Sequence, residues 1–320
     1  MRTAQSSPKP TPGDARAGLA YGITAYLWWG SAVPIYLHVL GRGAWATQPV
    51  ELLAQRVVFG IPVLLLLLMA TRRLGELRRA LSSKRTLLIM ALSAVLLSAN
   101  WMAFIWAVSN ARLIDASLGY YLNPLVSVAL GVLILGERPR RLQMVAVGLC
   151  VLAVAWLTYQ RGALPIVAVT VALSFGFYGL VRKRASVKAA PGLCVEMILM
   201  LPIMLGLYAW LFGGNQAQVL DGPPLRTSLM LLGGFMSVLP LVCFAEAAHR
   251  LKLATLGMLQ YLAPTGQFLL SMAFGEPLTP STLIAFAAIW TALAIYSWDA
   301  WRGRKPEGSR PPGSLTASKS

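Results

Sequence analysis

From Ile114 to Leu135 the chain reads IDASLGYYLNPLVSVALGVLIL. Only Asp115 is charged. At a rise of about 1.5 Å per residue, a helix of this length crosses a hydrocarbon core of about 30 Å. A membrane β-strand would be about ten residues long and would alternate apolar with polar side chains, which this run does not do. Within it stands Tyr121-Leu122-Asn123-Pro124, and 140 residues later the chain reads Tyr261-Leu262-Ala263-Pro264.

Shifting the sequence by that interval also superposes Phe104 on Phe244, Ala107 on Ala247 and Leu113 on Leu253. Apolar helices resemble one another by chance, so the shared motif weighs more than the identities. The two halves also share a pattern further along: Gly136-Glu137 then Pro139, and Gly275-Glu276 then Pro277. Both read as helix stops, with glycine ending the helix and proline preventing its restart.

Nine further runs of similar character accompany the first. The ten are Ala17–Leu40, Val50–Ala70, Thr86–Val108, Ile114–Leu135, Leu142–Tyr159, Ala163–Val181, Gly192–Gly213, Thr227–His249, Leu253–Phe274 and Pro280–Trp298. The chain is 57% hydrophobic and 12% charged, with a mean hydropathy of +0.65, against about 25% charge in a soluble domain. Short connections make neighbouring runs antiparallel. Of 28 Lys and Arg residues, 23 then fall on the side of both termini and four (Arg42, Arg112, Arg161, Arg226) on the other; Arg56 lies inside a run. The positive-inside rule places both termini in the cytoplasm. The net charge of +17 is thus a topology signal, and nucleic-acid binding is not expected because no basic face remains outside these clusters.

Five spans per half force the second half to enter from the opposite side. The expected fold is an all-α membrane protein of ten transmembrane helices arranged as two inverted five-helix repeats, an architecture typical of secondary transporters. Residues 17–160 form the first repeat and 161–301 the second, between a disordered tail at 1–16 and a disordered basic tail at 302–320. The N-terminus has no apolar stretch resembling a signal peptide.

Several motifs carry a family likeness: Tyr26-Leu27-Trp28-Trp29-Gly30, Pro34-Ile35-Tyr36, Glu51 with Arg56, Asn100-Trp101, Gly119-Tyr120-Tyr121-Leu122-Asn123-Pro124 and Gly136-Glu137. Together with the repeat, they make Ala17–Trp301 resemble the EamA family of the drug/metabolite transporter superfamily, and within it the RarD branch. The resemblance implies a permease of the cell (plasma/inner) membrane. It leaves the substrate open, since the branch is poorly defined in what it carries.

Substrate-binding candidates are the residues that hydrocarbon makes costly. Arg56 costs about 2.5–3.5 kcal/mol at a bilayer centre, so it either binds an anionic group or holds helices together. Pro124 and Pro264, read as mid-run hinges, deprive the carbonyls of Tyr120 and Gln260 of their partners. Tyr120, Tyr121, Asn123, Gln260 and Tyr261 beside these breaks are therefore cavity candidates, against the alternative of tolerated kinks. Asn100 and Trp101 lie mid-run, where a buried amide needs either substrate or an interhelical partner. Trp28 and Trp29 are candidates to stack on a planar or cationic substrate, against an interfacial role. Glu51 and Glu246 are coupling candidates, because a proton-driven carrier needs a membrane-embedded titratable group; an interfacial pair with Arg250 or Lys252 is the alternative for Glu246.

With only His38 and His249, the chain has no zinc-protease motif. It also lacks a nucleophile elbow, a Walker loop and any metal spacing among Cys150, Cys194 and Cys243, which read as buried thiols. No catalytic residue, cofactor or metal is expected. The expected partners are a small-molecule substrate and membrane lipid, and a homodimer is allowed. A membrane-embedded enzyme on a lipid-soluble substrate, or a channel, is the alternative to a carrier; saturable counterflow separates them.

Overall fold

The computed structural model describes residues 12–135, 140–185, 187–214, 223–251, 255 and 259–302. Every regular element among them is helical. Helix α1 (Pro12–Leu27) runs through a π turn (Trp28–Ala32) into α2 (Val33–Gly41). Then come α3 (Pro49–Ala70), the short α4 (Leu74–Ser82), α5 (Lys84–Ser109), α6 (Leu113–Leu135), α7 (Arg141–Arg161), α8 (Ile166–Arg184) and α9 (Ala189–Gly213). The chain closes with α10 (Pro224–Leu231), α11 (Gly233–Arg250), α12 (Leu262–Ala273) and α13 (Pro280–Arg302).

Among the described residues, seven helices are long and apolar enough to cross a membrane, α10 and α11 forming one of them; Ile166–Arg182 is a shorter apolar helix. The protein is thus a multi-pass, all-helical membrane protein. Most of the ten expected runs appear within a few residues of their bounds. Three points differ. The first helix already includes residues 12–16, the first that the structure describes, rather than beginning at Ala17. The first run is interrupted by the π turn. The ninth overlaps α12, which begins only at Leu262. The remaining tail residues and Gly136, Glu137 and Pro139 lie outside the described residues.

The π turn lies just before Pro34, which withholds an N–H, and where a neighbouring helix comes close. Gly30 and Gly266 bring two backbones together: a Cβ on Gly30 would lie 2.9 Å from the Ala263 carbonyl oxygen, and one on Gly266 would lie 2.7 Å from that of Gly30. In the turn the Val33 N–H reaches back to the Trp28 carbonyl. The Trp29 carbonyl accepts instead from Gln267 Nε2 at 3.2 Å, so a backbone group in a dry environment has a side-chain partner.

Two buried clusters organise the bundle. One joins α2, α3, α5 and α9 to parts of α11 and to Val167 and Val171 of α8. The other joins α6, α7 and α13 to Phe268 of α12 and to Ala168 and Ala172 of α8. Helix α8 thus serves each core with a different i, i+4 pair. Helix α1 packs on α11 and the π turn on α12, while α8 packs on α5 and α6. Helix α3 packs on α9, and α7 on α13.

Candidate functional site

Arg56 lies in α3 and is 4% exposed. Its Nε donates to Ser237 Oγ of α11 at 2.8 Å, and Ser237 Oγ donates in turn to the Gly233 carbonyl at 2.9 Å. The guanidinium carbon sits 4.4 Å from the centroid of the Trp101 ring in α5, a cation–π distance. Its Nη1 has no hydrogen-bond partner among the described residues. A buried N–H of a cation left unused is expensive, so this donor is available to a ligand.

Asn100, one residue before Trp101, is 2% exposed. Its amide donates to the Val171 carbonyl at 3.1 Å and to Ser174 Oγ at 3.2 Å, both on α8. Tyr120 Oη donates to Asn100 Oδ1 at 3.0 Å, with Phe104 and Phe175 edge-on to its ring. Tyr36 of α2 accepts from Gln55 Nε2 at 2.7 Å, and Tyr36 and Tyr120 both lie close enough to feel the Arg56 charge. Four expected site residues, Arg56, Asn100, Trp101 and Tyr120, are thus brought together from three helices. Tyr36, which stood only in a family motif, belongs with them, as do Gln55, Ser174 and Ser237, which carried no signal in the sequence; Ser237 is 181 positions from the arginine it binds.

Other candidates fall elsewhere. Trp28 donates from Nε1 to the Met236 carbonyl at 3.2 Å. Met236 precedes Pro240 by four residues, so proline leaves that carbonyl without its helical partner and the indole takes it. Trp29 packs on Tyr26 and Phe244. Tyr121 shares a 2.6 Å hydrogen bond with Thr265 and faces Phe286 and Trp290 in the second core. Tyr261 packs against that same core, and Gln260 is half-buried beside it. Asn123 is half-buried, its Oδ1 without a hydrogen bond among the described residues.

The two prolines differ: the ninth run turns at Gln260–Tyr261, just before Pro264, whereas α6 runs unbroken through Pro124. Pro264 lies in the first turn of α12, where the missing N–H costs nothing, and its carbonyl accepts from Ser117 Oγ at 2.7 Å. Glu51 is fully buried near Tyr208. Glu246 is different: its side chain is 41% exposed and paired with Arg250 one turn on. Glu276 does more than follow a helix stop. Gly275 takes a left-handed φ of +76°, and the Glu276 carboxylate accepts from the Leu113 and Ile114 N–H groups at 2.7 and 2.8 Å, capping α6 from another part of the chain.

The described residues contain no group of His, Cys, Asp or Glu placed to hold a metal, and all three cysteines are buried and free.

A family model, that of the EamA-like transporter family, matches residues 16–159 and 164–298. An uncharacterized transporter of Pseudomonas aeruginosa is 44% identical over 298 residues, spanning 90% of this chain and 96% of its own length. Protein RarD of Escherichia coli is 38% identical over 289 residues, spanning 90% and 96%. A second Pseudomonas aeruginosa relative, named chloramphenicol-sensitive protein RarD, is 32% identical over 283 residues, spanning 87% and 93%. A solved crystal structure aligns over 90% of this chain and 99% of its own with a TM-score of 0.56 and 19% identity, a likeness of fold alone.

Proposed function

The chain belongs to the EamA-like transporter family, and on that premise we propose that it is a secondary transporter, not an enzyme, moving a small metabolite or drug-like molecule across the cell inner membrane by alternating access. Both termini lie in the cytoplasm, and ten spans form two inverted five-helix repeats, residues 17–160 and 161–301. The packing supports this reading. Exchanging the halves turns the contact of the first span with α11 and α12 into that of α8 with α5 and α6, and leaves the α3–α9 and α7–α13 contacts in place.

The observation that carries the function is Arg56: a buried cation over Trp101 with one N–H unused, beside Asn100 and Tyr120. In hydrocarbon such a group is retained for use. It suits the anionic group of a substrate, while the surrounding rings accept an apolar body. Trp28 and Trp29 border this region, and Tyr121, Asn123, Gln260 and Tyr261 serve the α6–α12 face of the same pathway.

The test is counterflow in proteoliposomes with a panel of amino acids, vitamins and amphenicols, the last chosen for the name of one relative. Saturable exchange is expected. Arg56→Ala should lower it by at least about tenfold, the loss of one charge-assisted contact, with insertion intact. Normal flux in that variant overturns the site. Proton coupling, where an imposed pH gradient drives uptake, falls to the buried Glu51 before the half-exposed Glu246.

A further inference from the structure

Glu196 lies in α9 and is completely buried. Its Oε1 accepts from Ser93 Oγ of α5 at 2.5 Å, and its Oε2 from Tyr178 Oη of α8 at 3.4 Å. Arg182 of α8 places Nη1 3.6 Å from Oε1. The same guanidinium donates to Met90 Sδ at 3.3 Å and to the carbonyls of Lys188 and Ala189 at 3.3 and 3.4 Å. It lies directly over Gly192, where a Cβ would meet its Nη1. One buried carboxylate and one arginine thus tie together the ends of three helices.

Position gives the cluster its meaning. Ser93, Leu97 and Asn100 share one face of α5 at i, i+4 and i+7, which puts the cluster two turns from the Asn100 amide. On its other flank a cleft lined by Glu76, Arg79, Ala80, Thr86, Val187 and Lys188 opens to the surface and ends at the residue whose carbonyl Arg182 holds. A second observation is independent of these. Val50-Glu51-Leu52 in α3 matches Val195-Glu196-Met197 in α9, and Glu51 is also completely buried. Near it, Arg226, itself 7% exposed, donates to Thr47 Oγ1 at 3.0 Å, one turn before Glu51. Each half thus buries a carboxylate in its second span, Glu51 in the first turn of α3 and Glu196 two turns into α9, and in the inverted arrangement proposed above those ends face opposite sides of the membrane.

We propose that Glu196 and Arg182 are the latch that closes the cytoplasmic mouth of the Arg56 site, and that the buried Glu51 and Arg226 hold the outer mouth. Passage of any solute requires one latch to part while the other holds. The inference rests on the carrier reading above, and it concerns residues that touch no substrate: they position the helices that do.

Because the substrate is unidentified, the probe is a membrane-impermeant maleimide applied to inside-out vesicles. The reporter is Leu97→Cys in a chain carrying Cys150→Ala, Cys194→Ala and Cys243→Ala; Leu97 is 5% exposed and lies one turn inside the latch. Labelling should be slow in this parent and at least about tenfold faster with Glu196→Gln added, an equilibrium shift of about 1.4 kcal/mol toward the open mouth. An unchanged rate in a monodisperse Glu196→Gln protein overturns the latch. Should that variant not fold, Arg182→Met removes the same pair from its other side and must give the same gain. Counterflow on the same preparations separates the two ideas. Faster labelling with no solute movement by the parent sinks the carrier and keeps the latch; active counterflow with unchanged labelling does the reverse.

Discussion

The core around α3, α5 and α9 buries Glu51, Gln55, Arg56, Ser93, Asn100 and Glu196 among its apolar side chains, whereas the core between α6, α7 and α13 is filled by Tyr121, Phe268, Phe286 and aliphatic residues. The buried polar groups on α6 and α13 are Asp115, Ser117, Thr282 and Asp299; they stand toward the helix ends, where Arg161 binds Asp115 and Thr282 at 2.7 and 3.2 Å and Arg140 meets Asp299 at 3.6 Å. Helices in lipid associate well enough by packing small and apolar residues. Six buried polar side chains in one core are therefore more than adhesion requires. On the proposed carrier reading, the contrast divides the bundle into a core that works on solute and a core that holds the frame.

The largest effect on the frame should come from Phe286→Ala. Phe286 is 0% exposed, with Phe268 at 4.6 Å and Trp290 at 5.7 Å between ring centroids. Removing it leaves a cavity costing about 3 kcal/mol, read as a drop in unfolding midpoint in micelles. Flux per folded molecule should stay at the parental value. A fall in specific flux larger than the fall in folded fraction would break the division between the cores.

A smaller loss is expected for Glu276→Ala. It deprives the Leu113 and Ile114 N–H groups of their acceptor where α6 starts, at a cost of about 1–2 kcal/mol. Hydrogen exchange should then rise in the first turn of α6 and not at Arg56. Exchange spreading to α3 would mean that the cap supports the working core as well.

The smallest effect belongs to the surface. Hydrogen bonds from Lys188 and then Arg73 hold the Glu76 carboxyl below its usual range. A lowered carboxyl contributes stability that is complete above its ordinary value and is lost as pH falls through the lowered one. Glu76→Gln should therefore lower the melting temperature slightly near neutral pH, and the difference from the parent should shrink as pH falls below the ordinary carboxyl range. A difference that grew toward acid would reverse the sign and count against the pair.

Most of the helices could be read in the sequence because membrane crossing imposes length and apolarity on each segment by itself. The π turn was harder to read: Pro34 withholds an N–H at its end, but α12, whose backbone lies against Gly30, is some 230 positions away. Arg56, Asn100, Trp101 and Tyr120 were each visible as costly or polar residues in apolar runs, but their meeting was not, since periodicity says which face a residue takes and not which helix it meets. Pro264 was misplaced because the motif it shares with Pro124 fixes composition, whereas the start of α12 is set by packing on the π turn. Glu246 is four residues before Arg250, and that spacing already signalled a local surface pair. Glu196 stood in an apolar run like Glu51, but nothing local to it announced Ser93 or Tyr178.

The π turn at Trp28–Ala32 also means that the first span holds one residue more than its length demands. Such a surplus can travel along a helix as a wrinkle travels along a carpet. Each residue it passes swings by about 100° around the axis while both helix ends keep their anchorage at the membrane surfaces. Trp28 and Trp29 sit within the wrinkle, so these two indoles can be re-aimed without tilting, sliding or melting the helix that bears them.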